Sequence, residues 1–400
     1  MPAKVTQAAY WLALALCVSP LAAAPVDLRG AVSVESRTFW ESAQFPGQRS
    51  VDGSLSAQPE LHFELPAGRG QLMFTPFVRL DSADTQRSHW DIRDLNWQLV
   101  SDAWELTLGV QRVFWGVVES NHLVDIINQT DLVEDPDGEE KLGQPMATLA
   151  LIKPWGTLDF IVMPWFRERT FAGTHGRLRS NPPVDTAKPS FESAAGEHHV
   201  DFAVRYSLST SAVDFNVYQF KGTSREPEFG LLVRGGRVHA LQPIYPQIDQ
   251  TGLDALWAWN SWLFKLEALH RTGFGAGYAA AVAGSEYTWV GVGDTAIDLG
   301  LILELHYDQR GALATTPFNR DVFTGLRLVL NDAAASSVLV GELVDIYGAG
   351  HFFNLEAERR LGDRWRATLE LRLFGSHTPA DPLFYLDRDD YLGVECSRFF

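Results

Sequence analysis

The chain has 400 residues, 46% of them apolar and 21% charged, with a formal net charge of −17. So strong an acidic balance argues against a nucleic-acid surface, which needs clustered basic groups to meet phosphate. Cys17 and Cys396 are the only cysteines, so no disulfide framework is available to hold the fold.

Lys4 precedes an apolar run from Ala9 to Leu16, and the small residues Ala22, Ala23 and Ala24 follow. That is the layout of a secretory signal peptide, so residues 1–23 are expected to be removed. The run is too short to span hydrocarbon, and the bulky Leu16 before Cys17 disfavours a lipid anchor. Losing Lys4 with the leader takes the charge from −17 to −18 and leaves Cys396 alone. Beyond the leader no stretch approaches the roughly 20 apolar residues of a membrane helix. The mature chain, 24–400, is expected to form a single domain that is either soluble or meets a membrane in another way.

From residue 28 onward apolar and polar residues alternate, the period of a strand with two unlike faces. The first predicted strands are 28–39, 54–65, 70–82, 88–99 and 103–113. In the last of these Trp104, Leu106, Leu108 and Val110 oppose Glu105, Thr107 and Gln111. The pattern then breaks over 114–145, which holds Glu119, Asp125, Asp131, Glu134, Asp135, Asp137, Glu139 and Glu140 against one lysine, Lys141. Strands resume at 146–153 and 156–166, joined by Lys153-Pro154-Trp155-Gly156. A long polar connection, 167–198, leads to strands 199–208 and 211–221, and a second, 222–250, follows. Phe229 to His239 is assigned to that connection, because counting it as a strand would break the alternation of long and short links.

The second half supplies 251–260, 262–272, 283–293, 297–310, 319–331, 336–346, 351–361, 364–374 and 389–400. Leu299, Leu301, Leu303, Leu305 and Tyr307 share one face, and Trp365, Ala367, Leu369, Leu371 and Leu373 another. The chain is therefore all-β with about 18 strands, 16 being the alternative. Soluble sandwiches alternate too, but here tight turns such as Asn260-Ser261 and Gly362-Asp363 alternate with long polar links. Together with segments of about ten residues, this asymmetry predicts a transmembrane antiparallel up-and-down β-barrel. Trp104, Trp155, Trp262 and Trp365 each lie within or just after a short turn, where an interfacial aromatic girdle belongs.

The last segment, "YLGVECSRFF", carries Tyr391, Gly393 and the terminal Phe400. It resembles the closing strand of Gram-negative outer-membrane β-barrels, whose final aromatic is read by the barrel-assembly machinery; Arg398 departs from the usual form. The resemblance covers nearly the whole mature chain as architecture and implies an outer-membrane location among outer-membrane lipids. Arg112 to Gly116, followed by Asp125, Asn128 and Asp131, also looks like a segment of uncharacterised porin-like families.

Barrels of 16 to 18 strands leave an aqueous channel, and the inward parity carries Arg79, Arg205, Lys265, Arg327, Arg360, Arg366 and Arg372 among many carboxylates. Such charge is too costly to face lipid. Counted from the N-terminus, 114–145 is the third external loop, which in the porins this architecture resembles folds inward and narrows the barrel. Ser120 can cap a short helix with Leu123, Val124 and Ile127 as its apolar stripe, and Asp135-Pro136-Asp137-Gly138 can reverse the chain. An acidic loop resting on top of the barrel is the other possibility. A calcium site at Asp135, Asp137 and Glu140 is a third, although the full EF-hand ligand series is missing.

The leading expectation is passive diffusion of small hydrophilic solutes, with a constriction of Glu119, Asp125, Asp131, Glu134 and Asp135 set against Arg79, Arg112, Arg205, Lys265, Arg327, Arg360, Arg366 and Arg372. The acidic excess suggests a mild preference for cations. Export or assembly of a surface polymer is the alternative. A barrel enzyme such as a lipase or protease is less favoured: His198, His199, Asp201, His270 and His306 offer bases, but no Gly-x-Ser-x-Gly or His-x-x-x-His signature accompanies them. Energy-coupled uptake would call for about 22 strands and a plug. No cofactor, metal or nucleic-acid partner is expected, and the oligomeric state stays open.

Overall fold

Segments with one apolar and one polar face can enter a bilayer only if every backbone donor and acceptor is paired, which a ring of strands achieves because it has no edge. The computed structural model describes residues 26–400 apart from 274, 317, 349 and 377–380; the leader expected over 1–23 lies outside the described residues. In chain order the strands are β1 (Val26–Phe39), β2 (Val51–Glu64), β3 (Gln71–Asp81), β4 (His89–Val100), β5 (Trp104–Gln111), β6 (Gln144–Lys153) and β7 (Gly156–Met163). Then come β8 (Ser190–Phe191), β9 (Asp201–Ser209), β10 (Val213–Thr223), β11 (Glu228–Arg234), β12 (Arg237–Tyr245), β13 (Gln247–Trp259) and β14 (Trp262–Gly273). The last are β15 (Gly275–Trp289), β16 (Asp298–Asp308), β17 (Asp321–Val329), β18 (Ser337–Asp345), β19 (His351–Arg360), β20 (Trp365–Gly375) and β21 (Tyr391–Phe399).

Eighteen of these form one sheet, each strand antiparallel to the next. The ring closes where β1 pairs with β21, from Ala31↔Phe399 to Phe39↔Tyr391. Among the described residues there is no α-helix. The remaining strands, β8, β11 and β12, make a small separate sheet in the long connections. Residues 228–245, expected as plain loop, are a hairpin turning at Gly235-Gly236. It stays outside the ring because β10 pairs directly with β13, through Thr223↔Gln247.

The sequence misplaces one wall strand. It starts β15 at 283, whereas the strand begins at Gly275, and residue 274 alone links it to β14. Ala279, Ala281 and Ala283 are too small to register as the apolar half of an alternation. Gly273 and Gly275, with φ of 89° and 66°, take backbone conformations that favour glycine.

The outer face is apolar: Leu301, Leu303, Leu305 and Tyr307 of β16 are exposed while Ile302, Glu304, His306 and Asp308 between them are buried. At the short-turn end Trp155, Trp257, Trp259, Trp262, Trp289 and Trp365 stand exposed. They form the girdle expected there, with Trp155 stacked on Tyr206 at 6.0 Å and Trp289 edge-on to Tyr287 at 4.7 Å.

The buried core lies inside the ring. The chain leaves β5 and returns to the adjacent β6, paired through Gln111↔Gln144, and between them 112–143 turns into the barrel. Its Trp115, Val124, Ile126 and Ile127 pack on Met146, Ile161, Met163, Tyr218, Phe220 and Ile248 of the wall, while Leu123 packs on Leu269, Tyr278 and Ala280. Burying each aliphatic side chain is worth about 1.5–3 kcal/mol, which a loop in open water would forgo. Ile127→Ala should remove about 2–5 kcal/mol of this attachment. The measurement is protease cleavage within 112–143 on the intact barrel, expected to accelerate at least roughly tenfold; unchanged cleavage would argue that the packing does not hold the loop.

Candidate functional site

Irregular backbone inside a barrel needs partners for its N–H groups, and two wall carboxylates supply them. Glu267 of β14 accepts from the amides of Val117 (2.6 Å), Val118 (3.1 Å) and Val124 (3.1 Å). Glu304 of β16 accepts from the amides of Glu119 (2.7 Å) and Ser120 (2.9 Å) and from Ser120 Oγ (2.5 Å). The short helix expected after Ser120 is therefore absent. Its capping hydroxyl is bound to Glu304 of the wall instead, and the Val124 amide, which would have made the first internal bond of a helix capped at Ser120, is taken by Glu267.

Cations from around the ring hold the rest of the loop. Arg79 of β3 pairs with Glu134 at 2.8 Å, and Arg93 of β4 with Asp131 at 2.8 Å. Arg37 of β1 donates to the Glu134 carbonyl at 2.7 Å, and Arg225, from the connection after β10, to that of Ile127 at 3.0 Å. Arg327 of β17 meets Glu119 at 2.5 Å, with Lys265 of β14 at 3.7 Å. Arg372 of β20 meets Asp137 at 2.9 Å and Asp135 at 3.5 Å. Contacts to β1, β3, β4, β14, β16, β17 and β20 mean that the loop crosses the lumen. Within it Thr130 bridges Lys141, and the tip reverses at Asp137-Gly138, where Asp135 Oδ1 accepts from the Asp137 amide at 3.1 Å.

The constriction residues expected from sequence separate into two groups. Asp125, Asp131 and Glu134 are buried struts: Asp125 faces Lys141 at 3.3 Å, and His89 lies 3.3 Å from Asp131. Burial raises the Asp125 pKa, with Lys141 pulling against it. Burial would raise that of Asp131 too, but His89 and Arg93 outweigh it and hold the carboxyl at about 2. Glu119 and Asp135 lie closer to open space, each lining a cavity. On the wall, Arg79, Lys265, Arg327 and Arg372 reach the loop, as above. Arg112 belongs to the loop's own root and pairs with Asp94 at 3.0 Å. Arg205 bonds Asp254 at 3.2 Å and touches the loop only through the Trp115 ring, 4.8 Å away. Arg360 and Arg366 face each other in register at the short-turn end, where Arg366 pairs with Glu358 at 3.4 Å. The structure does not bring those two to the loop, because strand parity fixes which face a side chain takes and leaves its height along the strand open.

In the closing strand Tyr391 is fully buried beneath Arg37, 5.3 Å from its ring centroid, Gly393 lines a cavity, and Phe400 is exposed. Arg398 sits on the outer parity against Trp365 at 5.8 Å.

A cavity of about 300 Å³ runs between the loop and β17–β20, from Leu343 and Phe352 toward Ser337 and Glu358. The charges it offers to solvent are mainly negative: the side chains of Glu139, Glu356 and Glu358 are 60%, 42% and 45% exposed, against 2% for Arg372 and 34% for Arg327, which is paired with Glu119 and Glu286. Arg372 lies beneath Asp135, Asp137, Glu356 and Glu370. Glu139, counted in the acidic stretch, and Glu356, at inward parity beside Asn354, were not among the constriction residues expected from sequence. His122 lies 3.4 Å from Glu139. Burial lowers the His122 pKa, but the Glu139 hydrogen bond and charge outweigh it and raise it above the ordinary histidine value.

Among the described residues one group has metal-ligand character, His89 with Asp131 and Glu134. Arg93 and Arg79 already engage those carboxylates, so the arrangement is an ion-pair cluster. Asp135 and Asp137, considered for calcium, hold Arg372 instead. The histidines do not converge. His199 bonds Asp201 at 2.8 Å, and Arg225 takes the other oxygen of that carboxylate at 2.7 Å. His270 is exposed on β14. His306 approaches Ser120 Oγ at 2.8 Å, but Glu304 accepts that hydroxyl more closely and His306 Nδ1 has no hydrogen-bond partner to orient it.

No protein-family model matches the chain, and no curated protein matches it by sequence. Among solved structures it is similar to a BenF-like porin from Pseudomonas fluorescens Pf-5, with 9% identity, 95% of this chain and 98% of that one covered, and a TM-score of 0.55. A mutant porin of Rh. blastica aligns at 12% identity over 94% of this chain and all of its own, with a TM-score of 0.46. The first likeness establishes a shared porin-type barrel fold.

Two outcomes follow for the protein in a planar bilayer. Arg372→Ala should leave Asp137, Glu356 and Glu370 without their arginine, Asp135 keeping Arg37, and strengthen cation over anion selectivity, read as a larger reversal potential in a salt gradient. The His122 charge is present below its raised pKa and lost as pH climbs through it, leaving Glu139 uncompensated. Cation selectivity should therefore increase with pH above about 6.5, and His122→Gln should flatten that rise.

Proposed function

We propose that this protein is a bacterial outer-membrane channel for passive diffusion of small hydrophilic solutes, with a preference for cations. The observation that carries this reading is the distribution of charge in the lumen, where Arg37, Arg79 and Arg372 are buried in ion pairs, Arg327 is half-buried between Glu119 and Glu286, and the most accessible groups around the cavity are the carboxylates Glu139, Glu356 and Glu358. A ring of carboxylates at a narrow point favours cations. The long connections then face outside and the short turns the periplasm. Residues 117–141 form the constriction, and the barrel-assembly machinery reads Tyr391, Gly393 and Phe400 at the closing strand. A cavity of about 300 Å³ bordered by a loop tied down on many strands suits a small solute better than a polymer in transit. It therefore favours diffusion over surface-polymer export.

Planar-bilayer recording of the purified, folded barrel tests the proposal. Stepwise KCl conductance with potassium favoured over chloride is expected, and deletion of 117–141 should raise conductance several-fold. A folded barrel that carries no current would overturn it.

A further inference from the structure

The lumen wall is not polar throughout. On the inward face of β16–β19, Ile302, Phe323 and Leu343 form a buried apolar cluster on which Phe318, Leu339 and Phe352 pack. Inward positions of a water-filled barrel are ordinarily polar, and the apolar side chains of the loop pack elsewhere, on the clusters of Ile161 and Leu269. The strip borders the same cavity as Glu139 and Glu356.

The strip is also built to lie flat. Gly325 of β17 faces Gly341 of β18 in register, and the Phe323 ring covers both. A Cβ at Gly341 would fall 2.4 Å from that ring, and one at Gly325 3.0 Å from it. Any larger residue at Gly341 would push the ring into the passage. Along the inward face of β19, Phe352, Asn354 and Glu356 succeed one another, so the surface grades from apolar to acidic over one strand.

We propose that this cavity is a binding subsite for an organic cation with an apolar body, an aromatic or branched alkyl ammonium. Resting on the channel reading, the proposal names the solute class that the narrow point selects. The apolar body lies on Phe318, Phe323, Leu343 and Phe352, and the ammonium turns to Glu139 and Glu356. Ring faces attract a cation, and the exposed carboxylates complete its charge. An organic anion is poorly matched: Arg372 is covered by carboxylates, and the half-buried Arg327 is already neutralised between Glu119 and Glu286. A bare inorganic cation gains nothing from the rings.

The test compares benzylammonium, methylammonium and benzoate on channels first shown to carry KCl current. Benzylammonium is expected to give current blockades roughly tenfold longer than methylammonium, about 1.4 kcal/mol of extra contact, with none from benzoate. Phe352→Ser and Glu356→Gln should each shorten them. Equal residence of the two ammonium ions, or blockade by benzoate as strong as by benzylammonium, overturns the proposal. Calorimetry on the detergent-solubilised barrel reads the same order of binding without current. A barrel that binds in that order yet conducts nothing upholds the subsite and overturns the channel, and one that conducts without discriminating overturns the subsite alone.

Discussion

A stretch of irregular backbone can stay inside a barrel only if its amides and carbonyls find partners, because exposed to neither water nor a ladder they would each cost free energy comparable to a lost hydrogen bond. The structure meets that constraint from the wall inward. Glu267 and Glu304 take a run of loop amides, while Arg37, Arg93 and Arg225 donate to its carbonyls. Everything else about the passage depends on this. The apolar packing of Val124 and Ile127 adds adhesion, but the direction in which Glu119, Asp137 and Glu139 point is set by backbone that the wall has already fixed.

The same arrangement decides the sign of the lumen. Arg37, Arg79, Arg93, Arg225 and Arg372, which donate to loop carbonyls or grip loop carboxylates, are drawn into the wall and hidden from solute, and Arg327 is left half-buried against Glu119. Carboxylates outnumber these cations, and those left over face the water. Abundant arginine on inward parity therefore does not make an anion path here. Counting charges by face would suggest two opposed ladders, whereas burial leaves one sign dominant around the cavity.

Much of the fold was legible because a strand's period is short and local. Each wall strand left its alternation in the sequence, and Trp262 and Trp365 marked the turns. β15 was blurred because Ala279, Ala281 and Ala283 carry little apolar signal. The hairpin at Gly235-Gly236 reads as loop in the sequence because counting it among the wall strands would break the alternation of long and short links; its strands pair with each other and stay outside the ring. For the loop, the excess of acid and the stripe of Leu123, Val124 and Ile127 pointed inward, yet the helix expected from Ser120 did not form because Glu304, 184 residues away in sequence, holds its capping hydroxyl and Glu267 takes the Val124 amide. Which carboxylates are struts and which face open water was not legible: Asp131 and Glu139 look alike in a sequence, and only the reach of Arg93 and His122 distinguishes them.

The closure of β1 on β21 has a consequence for the order in which the molecule can be completed. Arg372 grips Asp137 across a separation of 235 residues, from the penultimate strand. Until that strand is in place Asp137 lacks its arginine and Asp135 has only Arg37 of β1, and the repulsion between the two carboxylates favours an unsettled tip. The tip at Asp135 and Asp137 is thus completed only as the ring is being sealed, and a chain truncated before β20 would leave that corner of the interior unfinished.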